Sequence, residues 1–292
     1  MSQTEKPEER YSTVPNHKES LSKQYGGIHS GRWITLLPSS WHPYIQLARL
    51  SPPSALFLIY FPHLFGILHA ANSYKLPKFE VARACVLLFG GSFFCSNAAH
   101  AWNDLIDAPI DKQVARTMNR PIVRGAISPQ AAFIFTVTQA IGAAAFLLLF
   151  PMTTVVATLP TITGTTYYPW AKRHTYFPQV VLGFCLAWGI VVAAAATGVN
   201  QPWADASTLC LVAASILWAV IYDTIYAYQD ITDDIATGVK STAVLFRNNT
   251  KHLLWFILFL MGALLVLYGS LAELGIAYNF ITLGVAWDHW EL

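Results

Sequence analysis

The chain has 292 residues, 54% of them hydrophobic and only 12% charged, with a formal net charge of +2 and a mean hydropathy of +0.43. Soluble domains carry about 25% charged residues, so an ordinary water-soluble fold is excluded. The small net charge, with no basic tract interleaved with aromatics, also excludes nucleic acid as a partner.

In chain order, residues 1–45 mix Pro, Ser, Glu and Lys without an apolar core and read as a disordered tail. No apolar region of a secretory signal is present, and Glu5, Glu8, Glu9 and Glu19 do not suit a mitochondrial transit peptide. Residues 46–292 consist of long apolar runs with short polar gaps, the pattern of an all-α, polytopic transmembrane bundle in a lipid bilayer. Eight spans are expected, over 54–71, 82–102, 129–150, 152–169, 178–198, 206–228, 252–271 and 275–290. Cys85, Cys95, Cys185 and Cys210 all lie within apolar runs without a Cys-x-x-Cys pair and are expected as free, buried thiols.

Loop charge orients the bundle. Lys112, Arg116, Arg120 and Arg124 follow the second span, Lys172 and Arg173 the fourth, and Lys240, Arg247 and Lys251 the sixth. The loops after spans three, five and seven hold Asp205 and Glu273 and no Lys or Arg; only Lys75, Lys78 and Arg83 break the pattern. The positive-inside rule places the basic loops and the tail in the cytosol. An internal membrane, the endoplasmic reticulum, is expected ahead of the mitochondrial inner membrane. Asn248-Asn249-Thr250 would then face the cytosol and stay unglycosylated.

On that same side stand two acidic clusters, Asn103, Asp104, Asp107 and Asp111 after span two, and Asp223, Asp230, Asp233 and Asp234 after span six. A carboxylate at membrane depth costs at least about 2.5 kcal/mol, so two clusters ask for a cation between them. Residues four apart share a helix face. Asn103, Asp107 and Asp111 therefore form one stripe, and Asp223, Asp230 and Asp234 a second. Magnesium, held by one or two carboxylates plus water and phosphate oxygens, suits such a pair. Pro109 is expected to kink the first stripe's helix or end it early.

These motifs resemble the UbiA-type membrane prenyltransferases. The likeness runs from about Arg49 onward. It rests on Asn103 to Asp111 followed by Arg116, Arg120, Pro121 and Gly125, on Tyr168 with Lys172 and Arg173, and on Asp223 to Asp234 continuing to Gly238 and Lys240. The resemblance implies transfer of a prenyl group from a prenyl diphosphate to an aromatic acceptor, with Mg2+ as cofactor. It implies Asn103, Asp104, Asp107, Asp111, Asp223, Asp230, Asp233 and Asp234 as metal ligands. Arg49, Arg116, Arg120, Tyr168, Arg173 and Lys240 would bind substrate, and Asp107, Asp111, Asp230, Asp234 and Lys172 would carry catalysis. Relatives of this type run on through a ninth span, so the expectation is an incomplete eighth helix and no ninth before Leu292.

The ubiquinone branch of the family shows an Asp-Lys-Pro-x-Gly run after its first-helix arginine, where this chain has Leu50-Ser51-Pro52-Pro53-Ser54-Ala55. That departure, with Phe61-Pro62-His63-Leu64-Phe65-Gly66, is more similar to the fungal meroterpenoid branch. The implied acceptor is a polyketide aromatic acid or pyrone, and the implied donor is farnesyl-sized. Two alternatives stand beside it: a 4-hydroxybenzoate polyprenyltransferase of ubiquinone biosynthesis, and, from another class, a secondary transporter whose intramembrane carboxylates mark an ion path.

Overall fold

A computed structural model describes residues 31–288, and these are all helix and turn. Ordered chain begins before residue 46. Ile34 lies buried in a short turn over Arg32–Leu36, and helix α1 (His42–Leu47) buries Ile45 and Leu47. The rest of the expected tail, residues 1–30, lies outside the described residues.

Eight helical stretches follow at the eight expected places. They are α2 (Ser54–Tyr74), α3 (Lys78–Asp111), α4 (Pro129–Leu147), α5 (Met152–His174), the pair α6 (Pro178–Ala187) and α7 (Gly189–Ala196), α8 (Ala206–Tyr228), α11 (Thr250–Leu271) and α12 (Ile276–Asp288). Two short helices, α9 (Ile231–Thr237) and α10 (Thr242–Phe246), join α8 to α11. Six stretches are long and apolar enough to cross a bilayer. The two that fall short differ in kind. Seven threonines and the basic turn Lys172–His174 dilute α5. The described part of α12, 13 residues, covers about 20 Å, against roughly 30 Å of hydrocarbon. Its last expected residues, 289 and 290, lie outside the described residues.

Local chemistry sets the ends. Ser128 accepts a hydrogen bond from the Ala131 N–H and Pro129 occupies the first turn, the usual opening of a helix such as α4. Asp205 caps α8 by accepting from the Thr208 N–H, and Ser241 caps α10 by accepting from the Val244 N–H. Pro109 neither breaks nor shortens α3, which runs on to Asp111. A proline in the last turn forfeits one backbone bond at a point where the helix is ending anyway. At Trp188 the fifth stretch steps from α6 to α7, and the indole N–H donates to the Ala157 carbonyl at 2.9 Å.

The centre is α7. Every residue from Gly189 to Ala196 is buried, as expected for a helix apolar on all sides. Helix α2 lies close against it because Gly66 has no side chain; a Cβ there would fall 2.3 Å from the Ile190 carbonyl oxygen. Around this axis α2 packs on α3, α3 on α4, α5 on α6 and α7, and α8 on α6 and α11.

The loops after α3, α5 and α8 meet at one end of the bundle. At the opposite end His69 of α2 lies 3.3 Å from the Ser207 hydroxyl and 3.2 Å from the Tyr268 hydroxyl. Asp205 accepts there from Ser207 at 2.5 Å and from the backbone and hydroxyl of Thr208 at 2.7 Å each. Burial opposes ionisation of Asp205, but those bonds outweigh it and hold the carboxyl below its usual range. All four cysteines are free; Cys185 is buried and the others half-buried.

Candidate active site

Helix α3 delivers the first acidic cluster. Asp104, Asp107 and Asp111 are buried although they sit near the helix end, because the loop after α3 and the last turn of α5 cover them. Asp107 Oδ2 takes the Lys172 ammonium of α5 at 2.5 Å, and Arg173 lies 3.8 Å from Oδ1 while donating to the Ile106 carbonyl. Asp104 Oδ1 is shared by Arg49 and Arg120, each at 2.9 Å. Arg120 also donates to Asp111 at 2.7 Å. Burial alone would lower the Arg120 pKa, but Asp104 and Asp111 outweigh it and push it above the ordinary range. That guanidinium is permanently charged.

The second cluster is not one continuous stripe. Helix α8 stops at Tyr228 and α9 starts at Ile231, so Asp230 is the residue that opens α9 rather than part of a through-going helix. The turn between them moves Asp230 outward to meet Arg116. Arg116 reaches it through Nη2 at 2.7 Å and Nε at 2.9 Å, with its Cζ 4.8 Å over the Tyr226 ring. Asp233 accepts from the Ala115 N–H at 2.9 Å. Asp234 is buried, and burial first, then Asp230, pushes its pKa up to about 7. Asp223 stays half-buried on α8, within electrostatic reach of Arg116 and Lys172.

The clusters are therefore joined. Arg116 and Ala115 carry the loop after α3 onto Asp230 and Asp233, and the Lys240 N–H donates to the Lys172 carbonyl at 2.8 Å. Lys240 Nζ lies 5.6 Å over the Tyr176 ring. Tyr168, half-buried on α5, is within electrostatic reach of both Asp223 and Asp107. Asn103 is half-buried beside Asp104. Thus the expected site residues gather at one end of the bundle, in the connections after α1, α3, α5 and α8 and the helix ends that frame them.

Among the described residues no three His, Cys, Asp or Glu side chains converge in a metal-binding group. Asp104, Asp107, Asp111 and Asp230 each pair with a neighbouring cation, and Asp233 accepts a backbone N–H. Two observations fit a divalent cation at this site. Asp107 Oδ1 is buried without a hydrogen-bond partner, and Asp234 is driven toward its neutral form by burial first and then by Asp230. An oxygen-seeking divalent ion would satisfy both.

His100 was not among the expected residues. It stands three and seven residues before Asn103 and Asp107 on α3, the spacing of one helix face, and that spacing is the signal that could have found it. Its Nδ1 lies 2.7 Å from the Ser96 carbonyl, so Nδ1 carries the hydrogen and Nε2 is left as an acceptor.

A polar chamber of acids and cations at one end of an integral-membrane helical bundle defines a class of lipid-embedded, anion-handling enzymes. Residues 59–291 match the model of the UbiA prenyltransferase family, and the chain belongs to that family and is a prenyltransferase. It is 38% identical over 275 residues to prenyltransferase stbC of Stachybotrys bisbyi, covering 92% of this chain and 81% of that protein. Prenyltransferase ascA of Acremonium egyptiacum is 34% identical over 270 residues, covering 89% and 80%. A 4-hydroxybenzoate octaprenyltransferase of Pseudomonas aeruginosa is 36% identical over 262 residues, covering 88% and 85%. Among solved structures, the apo form of a UbiA homolog from Aeropyrum pernix superposes with a TM-score of 0.67 at 23% identity, covering 80% of this chain and 88% of that one. A UbiA homolog from Archaeoglobus fulgidus bound to DMAPP and Mg2+ gives 0.65 at 17% identity, covering 84% and 86%.

Proposed function

We propose that this prenyltransferase moves a farnesyl-sized group from a prenyl diphosphate to a polyketide-derived aromatic acid or pyrone, with Mg2+, at a site facing the cytosol from the endoplasmic reticulum. The observation that carries the reading is the meeting of both acidic clusters with Arg116, Arg120, Lys172 and Arg173 at one end of the bundle. Support for the acceptor class comes from the replaced run after Arg49 and from the similarity to stbC and ascA. The 4-hydroxybenzoate relatives keep the ubiquinone-type acceptor as the second reading.

Asp107, Asp111, Asp230 and Asp234 hold the metal in this scheme, with Asn103, Asp104, Asp223 and Asp233 beside them. Mg2+, when bound, supplies a Lewis acid that draws charge from the diphosphate as the allylic C–O bond breaks. Arg116, Lys172, Arg173 and Lys240 bind the diphosphate oxygens and stabilise the leaving group. Arg120 holds Asp104 and Asp111 in register and, with Arg49, closes the chamber toward the first helix. Tyr168, within electrostatic reach of Asp107 and Asp223, would offer an aromatic ring to the allylic cation. The surrounding apolar helices exclude water, which would otherwise capture the allylic cation before the acceptor ring does.

The test is transfer from farnesyl diphosphate by purified protein in lipid nanodiscs, with an orsellinic-type acid and 4-hydroxybenzoate in competition. A tenfold preference for the orsellinic-type acid in kcat/KM corresponds to about 1.4 kcal/mol of transition-state binding. A preference for 4-hydroxybenzoate moves the protein to the ubiquinone reading. Absence of magnesium-dependent transfer to either acceptor removes the proposal.

A further inference from the structure

The face of α3 that carries Asp104, Asp107 and Asp111 continues toward the middle of the bundle, and the next residue on it is His100. Along the helix axis it lies about 6 Å deeper than Asp104 and roughly 10 Å deeper than Asp107. The ring is half-buried. Its Nδ1–H donates to the Ser96 carbonyl, with the Ser96 hydroxyl 3.3 Å away, which fixes the tautomer and the orientation of the ring. Nε2 keeps its lone pair. It has no hydrogen-bond partner among the described residues, and it is not one of the polar atoms sealed from accessible space. His69, by contrast, has both ring nitrogens engaged at the opposite end of the bundle.

Both signs of charge surround the His100 ring. Arg49 and Arg120 lie within electrostatic reach of it, and so does Asp104. Arg49 is within reach of Tyr168 as well, so His100 on α3 and Tyr168 on α5 share a neighbour. A diphosphate held by Arg116 and Lys172 keeps its allylic carbon on the membrane side, because the prenyl tail has to run into the apolar part of the bundle. The acceptor ring meets that carbon beyond Asp104, at the depth of His100. Every acceptor class considered above is a phenol or an enol. Its carbon ortho to the hydroxyl becomes a stronger nucleophile as the hydroxyl proton is drawn away.

We propose that His100 is a catalytic residue that accepts the proton of the acceptor's hydroxyl through Nε2. The O–H proton passes to Nε2 as the ortho carbon bonds to the allylic carbon. The allylic C–O bond breaks, and its electron pair leaves on the diphosphate oxygen. The ring is then a dienone. The hydrogen on its newly substituted carbon leaves as a proton to the departing diphosphate, and the electron pair of that C–H bond restores the aromatic ring. The ring oxygen then takes its proton back from the His100 imidazolium. Asp104 stabilises the imidazolium, and Arg49 and Arg120 stabilise the negative oxygen. A base of this kind contributes about 10²–10⁴-fold to the rate. The role rests on the acceptor class proposed above, since it needs a hydroxyl beside the attacking carbon.

The experiment pairs each phenol with its methyl ether, which keeps the ring and the carboxylate but has no hydroxyl proton to give. Wild-type protein in nanodiscs, with Mg2+ and inorganic pyrophosphate, is titrated calorimetrically with 2,4-dihydroxy-6-methylbenzoate and its 4-O-methyl ether. A second titration uses 4-hydroxybenzoate and 4-methoxybenzoate. In at least one pair the phenol should bind about five- to tenfold more tightly, as one hydrogen bond allows. His100→Phe should erase that difference, and His100→Gln, whose Oε1 still accepts a hydrogen bond, should keep it. In farnesyl transfer, His100→Gln should lower kcat by about a hundredfold or more and leave the acceptor KM within about threefold. His100→Phe should slow the phenol by about ten times more than it slows the ether, whereas a packing role would slow both alike. Equal binding of phenol and ether by wild type in both pairs, or no binding, overturns the proposal. A His100→Gln variant as fast as wild type, or equal losses on phenol and ether, overturns it too. The wild-type comparison stands even if neither variant folds. Magnesium-dependent transfer without a phenol-over-ether difference removes His100 and keeps the proposed function. That difference without transfer removes the proposed function and keeps the hydroxyl contact.

Discussion

The bond between Arg116 and Asp230 joins the loop after α3 to the start of α9, and breaking it tests whether the two acidic clusters act as one unit. Each side chain is 10% exposed, the guanidinium reaches both carboxylate oxygens, and it lies over the Tyr226 ring. Removing one partner of a buried pair costs about 3–5 kcal/mol, since the other charge is left without its counter-ion. The residual exposure and the Tyr226 contact favour the lower end of that range. Arg116→Met and Asp230→Asn should each destabilise the protein by about 3 kcal/mol, and the double variant by less than the sum. In turnover each single change should cost about 10²–10³-fold, the range seen when one preorganised charge is lost from a transition state. The double variant should be no slower than the worse single one, as for residues that act together. Denaturant unfolding in detergent gives the stability cycle, and farnesyl transfer at saturating magnesium gives the activity cycle. Additive losses in turnover would refute the reasoning, because Arg116 and Asp230 would then serve the reaction independently.

Asp107→Asn should remove transfer while the protein still accumulates and elutes as a single species, and chelation of divalent ions should abolish turnover without loss of helix content by circular dichroism. Gly66→Ala should destabilise by about 1–3 kcal/mol, because its methyl meets the Ile190 backbone. Gly262→Ala, with nothing within 4 Å, should instead stabilise by roughly 0.8–1 kcal/mol in the same unfolding series. Asp205→Ala should cost about 1 kcal/mol as a lost helix cap. The pH dependence of that loss follows from the sign of the shift. The Asp205 carboxyl is held below its usual range when folded, so its contribution is present above the unfolded pKa and disappears as pH falls through the folded one. The gap between wild type and Asp205→Ala should therefore be widest near neutral pH and close in acid.

How much could be read in advance varied with the kind of signal. Apolar runs placed all eight helical stretches, because lipid forces the backbone to satisfy itself within helices. Even so, the Thr-rich α5 falls below the apolar composition of a span, and the described part of α12 falls below its length. Helical periodicity gathered Asn103, Asp107 and Asp111 correctly on α3. The same rule applied across Asp223, Asp230 and Asp234 assumed an unbroken helix, and the turn at Gln229–Asp230 is set by Arg116 and Ala115 more than a hundred residues away. The pairing of each acid with its cation was likewise out of reach. Arg120 with Asp104 and Asp111, or Lys172 with Asp107, are choices made by loop folding in three dimensions. His100 stood at helical spacing before Asn103 and Asp107 and could have been found, whereas the Asn97–Gln139 pair was visible only as polar letters in apolar runs.

The charge carried by the chamber leads to a last expectation. Seven carboxylates (Asp104, Asp107, Asp111, Asp223, Asp230, Asp233 and Asp234) face six cations (Arg49, Arg116, Arg120, Lys172, Arg173 and Lys240), leaving one formal negative charge. Ion pairs buried this deeply add little stability and are commonly outdone by apolar packing, so their presence is better explained by what enters between them. A diphosphate carries roughly three negative charges near neutral pH. Entering alone, it must take cations such as Lys172 from Asp107 and Arg116 from Asp230, and would raise the negative charge to about four. With two divalent cations bound by the carboxylates the charge would balance, and Arg116 and Lys172 would be free to bind the phosphate oxygens. Inorganic pyrophosphate should therefore bind weakly in chelator and at least a hundredfold more tightly in millimolar Mg2+, a difference of about 2.7 kcal/mol. Titration calorimetry on the nanodisc-embedded protein measures both states without any prenyl transfer. Equal affinity with and without the metal would mean that the basic residues alone accommodate the diphosphate, and that the carboxylates serve only to hold them in place.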